Sequence, residues 1–196
     1  VKGFQTIQEI KSGTKKDKIL VIQPFGRSVQ QVGPAVYDAT SRSIESANVV
    51  EIVQQLRKEY GILVMSQVPI DIPEDKDHTI AVPKEPNLRL WAAMIYNADH
   101  FLGCDSVGQH IAKALNKTAT VIIGSTYPIN ISYPDDKDFD IIDIGKDKRV
   151  YSPIRLTMDD EKDRANNDSI VMDEKEIKLV VDTVKKRMGK GSKFEG

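Results

Sequence analysis

Residues 103 to 115 read GCDSVGQHIAKAL, which gathers a carboxylate, a hydroxyl and an imidazole at the start of one amphipathic helix pattern. Asp105 or Ser106 can cap that helix. His110 lies about one turn inside, and helical side chains lean toward the N-terminus, so its imidazole can reach back to the loop. Glycines at 103 and 108 permit close backbone approach. The free N–H groups and positive dipole end of a helix start favour an anion. A second loop, Gly124-Ser125-Thr126-Tyr127-Pro128, also opens on a glycine and carries hydroxyls. Together the two loops point to a phosphate-bearing ligand.

Competing chemistries fit less well. Asp-Ser before a helix is also ordinary capping. The dinucleotide fingerprint Gly-x-Gly-x-x-Gly and a Walker A lysine loop are absent. Ser106 stands in no Gly-x-Ser-x-Gly elbow, which argues against a hydrolase triad. His78, His100 and His110 show no paired spacing for a metal, so no metal site is expected.

The elements that must position these loops follow from hydrophobic pattern. "KILVIQP" (18–24) is a buried strand, followed by a loop to about residue 43. Val49, Val53, Leu56 and Tyr60 recur at helical spacing, with Gly61 as the stop. "ILVMSQV" is the next strand, 69 to 77 a proline- and acid-rich loop, and "TIAV" a short strand. Leu88, Trp91, Ala92, Ile95 and Tyr96 mark a helix; "HFLGCD" a strand; 107 to 116 a helix; "TATVIIG" a strand. "FDIIDIG" and "KRVYS" are late strands or an extended arm, and 157 to 176 a solvated loop. Ile177, Val180, Val181, Val184 and Met188 form one stripe of a last helix ended by Gly189. Apolar strands alternating with helices predict an α/β, Rossmann-like, doubly wound, mostly parallel sheet. The expected organisation is an N-terminal segment or linker (1–17), a Rossmann-like domain (18–152), a charged loop and C-terminal helix (153–189) and an unstructured tail (190–196).

Composition bounds the partners. The 28 basic and 29 acidic residues nearly cancel, unlike the strongly basic face of a nucleic-acid binder. The single cysteine, Cys104, excludes an internal disulfide framework and fits a reducing compartment, the cytoplasm. No apolar run reaches membrane-spanning length.

Residues 87 to 128 resemble the donor-binding half of the family 9 glycosyltransferases, the ADP-heptose:lipopolysaccharide heptosyltransferases. That family's pattern is a helix, a strand ending in Asp-(Ser/Thr)-Gly-x-x-His-x-Ala-x-Ala-Leu, and a strand ending in Gly-x-Thr-x-Pro. Asp105, Ser106, His110, Ala112, Ala114 and Leu115 fall in register, as do Gly124, Thr126 and Pro128. "ILVIQPFGRS" is similar to that half's first strand and phosphate-side loop, and Arg42 falls where a lysine is usual. The chain departs at Val107, where the family has glycine and Gly108 is displaced by one. "MSQVPIDIP" offers no clear counterpart of the family's ribose-holding acid, and "YSPIR" replaces its cysteine-bearing segment.

The resemblance implies one half of a GT-B architecture, the other half or a partner chain supplying the acceptor site and base. It implies transfer of a sugar from a nucleotide-diphosphate-sugar, as substrate, to a hydroxyl acceptor, with inversion and without a metal or other cofactor. Ser106, Gly108, Gly124, Ser125 and Thr126 would face the diphosphate, Arg27 and Arg42 would meet its charge, and Asp105 and His110 would hold the loop or contact the sugar. Two rivals stand beside this reading. A nucleotide-sugar epimerase would carry glutamate where this chain has His110, and a non-catalytic binding or assembly module is favoured by Val107 and by the short stretch before the first strand.

Overall fold

The computed structural model describes residues 2–33, 35–38, 40–73, 80–81, 87–149 and 170–195. In chain order the elements are α1 (Lys2–Thr14), β1 (Ile19–Gln23), β2 (Val29–Val32), β3 (Ala35–Asp38), α2 (Ser46–Leu56), β4 (Gly61–Val64), β5 (Ile80–Ala81), α3 (Leu88–Asn97), β6 (His100–Cys104), α4 (Val107–Ala114), β7 (Ala119–Ile123), α5 (Pro128–Ile131), β8 (Phe139–Asp143) and α6 (Glu174–Met188).

Six strands form one sheet in the order β5-β4-β1-β6-β7-β8, and every neighbouring pair is parallel. Counting only these six, the order is 3-2-1-4-5-6, the doubly wound arrangement whose direction of growth reverses between β1 and β6. Strands buried on both faces must be apolar throughout, and β1, β4, β6 and β7 are buried at every position. Their side chains alternate between two cores. Leu20, Ile22, Ile62 and Leu102 join Val53 and Leu56 of α2 and Val180 and Val184 of α6. Ile19, Val21, Leu63 and Phe101 join Ile7 and Ile10 of α1, Trp91 and Met94 of α3, and Ala112 of α4.

Four elements differ from the sequence expectation. The stretch 1–17, expected as a segment or linker, carries α1; a Cβ on Gly3 would lie 2.4 Å from Ala93 Cβ, so glycine lets α1 approach α3 closely. The loop before residue 43 contains an antiparallel hairpin, β2–β3, whose Gln30, Gln31 and Val32 are exposed and so give no apolar strand signature. Gly61 does not stop a helix: α2 ends at Leu56 and Gly61 opens β4, while Tyr60 donates its hydroxyl to Gly189 O at 2.6 Å. The tail is docked through an isolated bridge between Lys16 and Lys193 and by Ser192, whose amide and hydroxyl both donate to Asp17. "YSPIR", most of "KRVYS", His78 and residues 157 to 169 lie outside the described residues.

Candidate functional site

A cavity of about 580 Å³ opens where the sheet reverses direction, lined at the carboxyl ends of β1, β4 and β6. That volume is in the range of small-molecule sites, and the position is where open α/β sheets place ligands. Its apolar wall includes Phe25, Met65 and Trp91, and its polar rim Arg27, Arg42, Ser106 and His110. An aromatic and aliphatic wall beside two guanidiniums suits a ligand that is part ring and part anion.

β1 ends in Gln23, only 3 % exposed, whose carboxamide reaches the start of α4. Gln23 Oε1 accepts from Gly108 N at 2.7 Å, and Gln23 Nε2 donates to Ser106 Oγ at 3.1 Å and Phe25 O at 3.3 Å. Ser106 occupies the N-cap position of α4 without making a side-chain cap bond. Asp105 does not cap either. It is buried, accepting from Thr126 Oγ1 at 2.9 Å and Gln109 Nε2 at 3.4 Å. A carboxylate so engaged holds the β7–α5 loop to the β6–α4 loop.

Arg42 sits on a loop knotted by Asp38. The Asp38 carboxylate accepts from the amides and hydroxyls of both Thr40 and Ser43. Burial works to raise the Asp38 carboxyl, but these bonds and the nearby Arg42 charge outweigh it and hold the group below its ordinary value. Arg42 Nε donates to Thr40 Oγ1 at 3.1 Å, which steers the half-buried guanidinium along the cavity rim. Arg27 lines the cavity as an exposed side chain. His110 is exposed on α4, with Nδ1 2.9 Å from Tyr133 Oη and the two rings edge to face.

The structure thus brings Asp105, Ser106, His110, Arg27 and Arg42 to one cavity, with Val107 among the lining residues. It does not bring Gly108, Gly124, Ser125 or Thr126 into that wall. Gly108 is small for packing: a Cβ there would lie 2.3 Å from Gln23 Oε1 and 2.5 Å from Phe101 Cζ, so it faces protein rather than ligand. Ser125 donates to Thr40 O at 3.1 Å, and Thr126 is committed to Asp105. These hydroxyls join loops to one another. Gly124 O accepts from Arg149 Nη1 at 2.9 Å.

Three residues escape the sequence reading. Gln23 ends an apolar strand and gains meaning only from a partner 85 residues away. Trp91 belongs to a helix stripe, yet it lines the cavity at 3 % exposure, and its indole Nε1 has no partner among the described residues. Arg149 bonds Gly124 O, Thr126 O and the Asp143 carboxylate and stacks 4.6 Å over the Tyr127 ring, fixing the β7–α5 loop. Its sign was in the sequence only as one basic residue in a charged run.

Cys104, wholly buried at the end of β6, has its thiol pushed up by burial, with Asp105 adding to the rise, so it is no nucleophile at neutral pH. Among the described residues no group of three or more His, Cys, Asp and Glu is placed to hold a metal ion, and no helix is long and apolar enough to cross a membrane.

No family model and no curated protein matches the chain. Solved structures do. A family 9 glycosyl transferase from Veillonella parvula DSM 2008 matches over 94 % of this chain and 51 % of its own, with a TM-score of 0.57 and 14 % identity. E. coli ADP-heptose LPS heptosyltransferase II matches over 91 % and 53 %, with a TM-score of 0.52 and 14 % identity. E. coli heptosyltransferase WaaC with ADP matches over 64 % and 37 %, with a TM-score of 0.51 and 15 % identity. The likeness is one of fold: the chain has the α/β fold found in these glycosyltransferases, and it spans about half of their length or less.

Proposed function

We propose that the chain is the donor-binding half of a GT-B glycosyltransferase of the heptosyltransferase kind, and that its cavity takes a nucleotide-diphosphate-sugar. The observation that carries this reading is the cavity at the strand reversal, with its apolar wall and its rim of Arg27, Arg42 and Ser106. The nucleoside lies along Phe25, Met65 and Trp91, and the diphosphate meets the two guanidiniums and the start of α4. In the transfer step the diphosphate leaves with its charge developed, and the arginines stabilise it electrostatically. A second α/β half supplies the acceptor site and the base that takes the proton of the acceptor's hydroxyl as its oxygen bonds to the sugar's anomeric carbon and the bond to the diphosphate breaks.

Titration calorimetry of the chain with ADP, GDP, UDP and CDP tests this. One of them should bind with a Kd of about a millimolar or somewhat better, since half the cleft is missing. Arg42→Ala should weaken that binding by about tenfold through loss of a charged contact. Silence from all four at millimolar concentration overturns the reading.

A binding module without catalysis is the second reading, favoured by Val107. The residue is 36 % exposed at the cavity wall, where a glycine would admit a ligand more closely. Val107→Gly separates the two: tighter diphosphate binding supports a donor site narrowed by valine, and unchanged binding supports the module.

A further inference from the structure

A serine at a helix N-cap normally spends its oxygen on the helix, accepting from the second or third backbone N–H. In α4 the second of these is Gly108 N, and it is already taken by Gln23 Oε1 at 2.7 Å. The orientation of the Gln23 carboxamide follows from two fixed partners. Gly108 N–H can only donate and Phe25 C=O can only accept, so Oε1 faces the first and Nε2 the second. Nε2 therefore donates its other proton to Ser106 Oγ, which leaves the Ser106 hydroxyl proton without an acceptor among the described residues. Ser106 lines the cavity, as does Arg42.

We infer that Gln23 is a positioning residue: by capping α4 in place of Ser106, it turns the Ser106 hydroxyl into a hydrogen-bond donor for an anionic oxygen in the cavity. This rests on the donor-site reading and adds to it a polarity for the site. The Ser106 hydroxyl and the arginines are its donors, and the Asp105 carboxylate, also at the cavity, is engaged by Thr126 and Gln109. Without Gln23, Ser106 Oγ is the natural acceptor for Gly108 N–H, and its geometry is set by the helix rather than by the ligand.

The test compares each of ADP, GDP, UDP and CDP with its parent nucleoside on the full chain. The ratio of the two affinities isolates the diphosphate contribution, which a merely structural change in the wall would not move selectively. Ser106→Ala and Gln23→Met are each expected to cut diphosphate affinity about tenfold and leave nucleoside affinity within twofold, the loss of one charge-assisted bond. The double variant should lose no more than either single one, because both remove the same donor. Melting curves accompany each variant, and Gln23→Glu serves as a second probe should Gln23→Met fail to fold. A carboxylate there accepts the Ser106 proton itself and should abolish the diphosphate preference. Full diphosphate affinity in Gln23→Met or Gln23→Glu overturns the inference while the donor-site reading stands. Losses that add in the double variant also overturn it. Failure of the unsubstituted chain to bind any of the four diphosphates overturns the donor-site reading and this inference with it.

Discussion

His100 sits 1 % exposed at the start of β6, with Nδ1 2.7 Å from Thr118 Oγ1 and Nε2 2.8 Å from Thr120 Oγ1. Burial pushes its pKa down to about 4, against a smaller opposing pull from Asp140. The folded imidazole stays neutral where the unfolded one, near 6.5, takes a proton. Stability from this group is therefore complete above pH 6.5 and is lost as pH falls from there toward 4. The full loss is about 3 kcal/mol at 1.36 kcal/mol per unit. Denaturant titrations at pH 7 and pH 5 should show the chain weaker at pH 5, and His100→Gln should flatten that difference; an equal slope in both proteins would place the acid sensitivity elsewhere. Cys104, buried two residues before Ser106, should resist thiol reagents until the chain unfolds.

The loops around the cavity behave as one hydrogen-bonded element. Gln23 joins the end of β1 to α4, Thr126 joins the β7–α5 loop to Asp105, Ser125 joins that loop to Thr40, and Arg149 pins it from behind. The Arg149 side chain is 4 % exposed and pairs with Asp143, so Arg149→Met strands a carboxylate and two carbonyls. A cost of about 3 kcal/mol is expected, with faster amide exchange confined to the β7–α5 loop. Exchange rising equally in α1 would mean that Arg149 serves the whole fold. The parallel sheet was legible in the sequence because strands buried on both faces must be apolar throughout, as β1, β4, β6 and β7 are. The meeting of Asp105, Ser106 and His110 was legible because they share one turn. The hairpin was not, since Gln30 and Gln31 face solvent and no alternation survives. The duties of Gly108, Ser125 and Thr126 were not legible either: each is decided by a partner from 21 to 85 residues away. Local spacing reveals which residues crowd a loop mouth, but not which of them the fold itself consumes.

At the scale of the whole molecule, the two cores share the strands β1, β4, β6, β7 and β8. Ile19 and Val21 point into the layer of α1, α3 and α4, while Leu20 and Ile22 point into the layer of α2 and α6. Neither layer can leave without uncovering the other's strands, so unfolding should be a single transition. The one tryptophan, Trp91, is buried in the first layer and reports it alone, whereas far-ultraviolet circular dichroism reports all helices. The two signals should fall together in urea. α1 is the element that most directly tests this, because it lies outside the strand-to-strand connections and still buries Ile7 and Ile10. Burying two isoleucines contributes about 3 to 6 kcal/mol as an upper estimate, a large part of the roughly 5 to 15 kcal/mol that holds a domain together. Gly3→Val strains α1 where it meets α3, since the new Cβ alone would lie 2.4 Å from Ala93 Cβ and 2.7 Å from the Ala93 carbonyl carbon. Overpacking of this kind costs about 1 to 3 kcal/mol. With shared strands, Gly3→Val should lower the tryptophan and dichroism midpoints by the same amount. A tryptophan midpoint that drops alone would make α1 and α3 a separable layer. The Trp91 wall of the cavity could then loosen without the sheet unfolding.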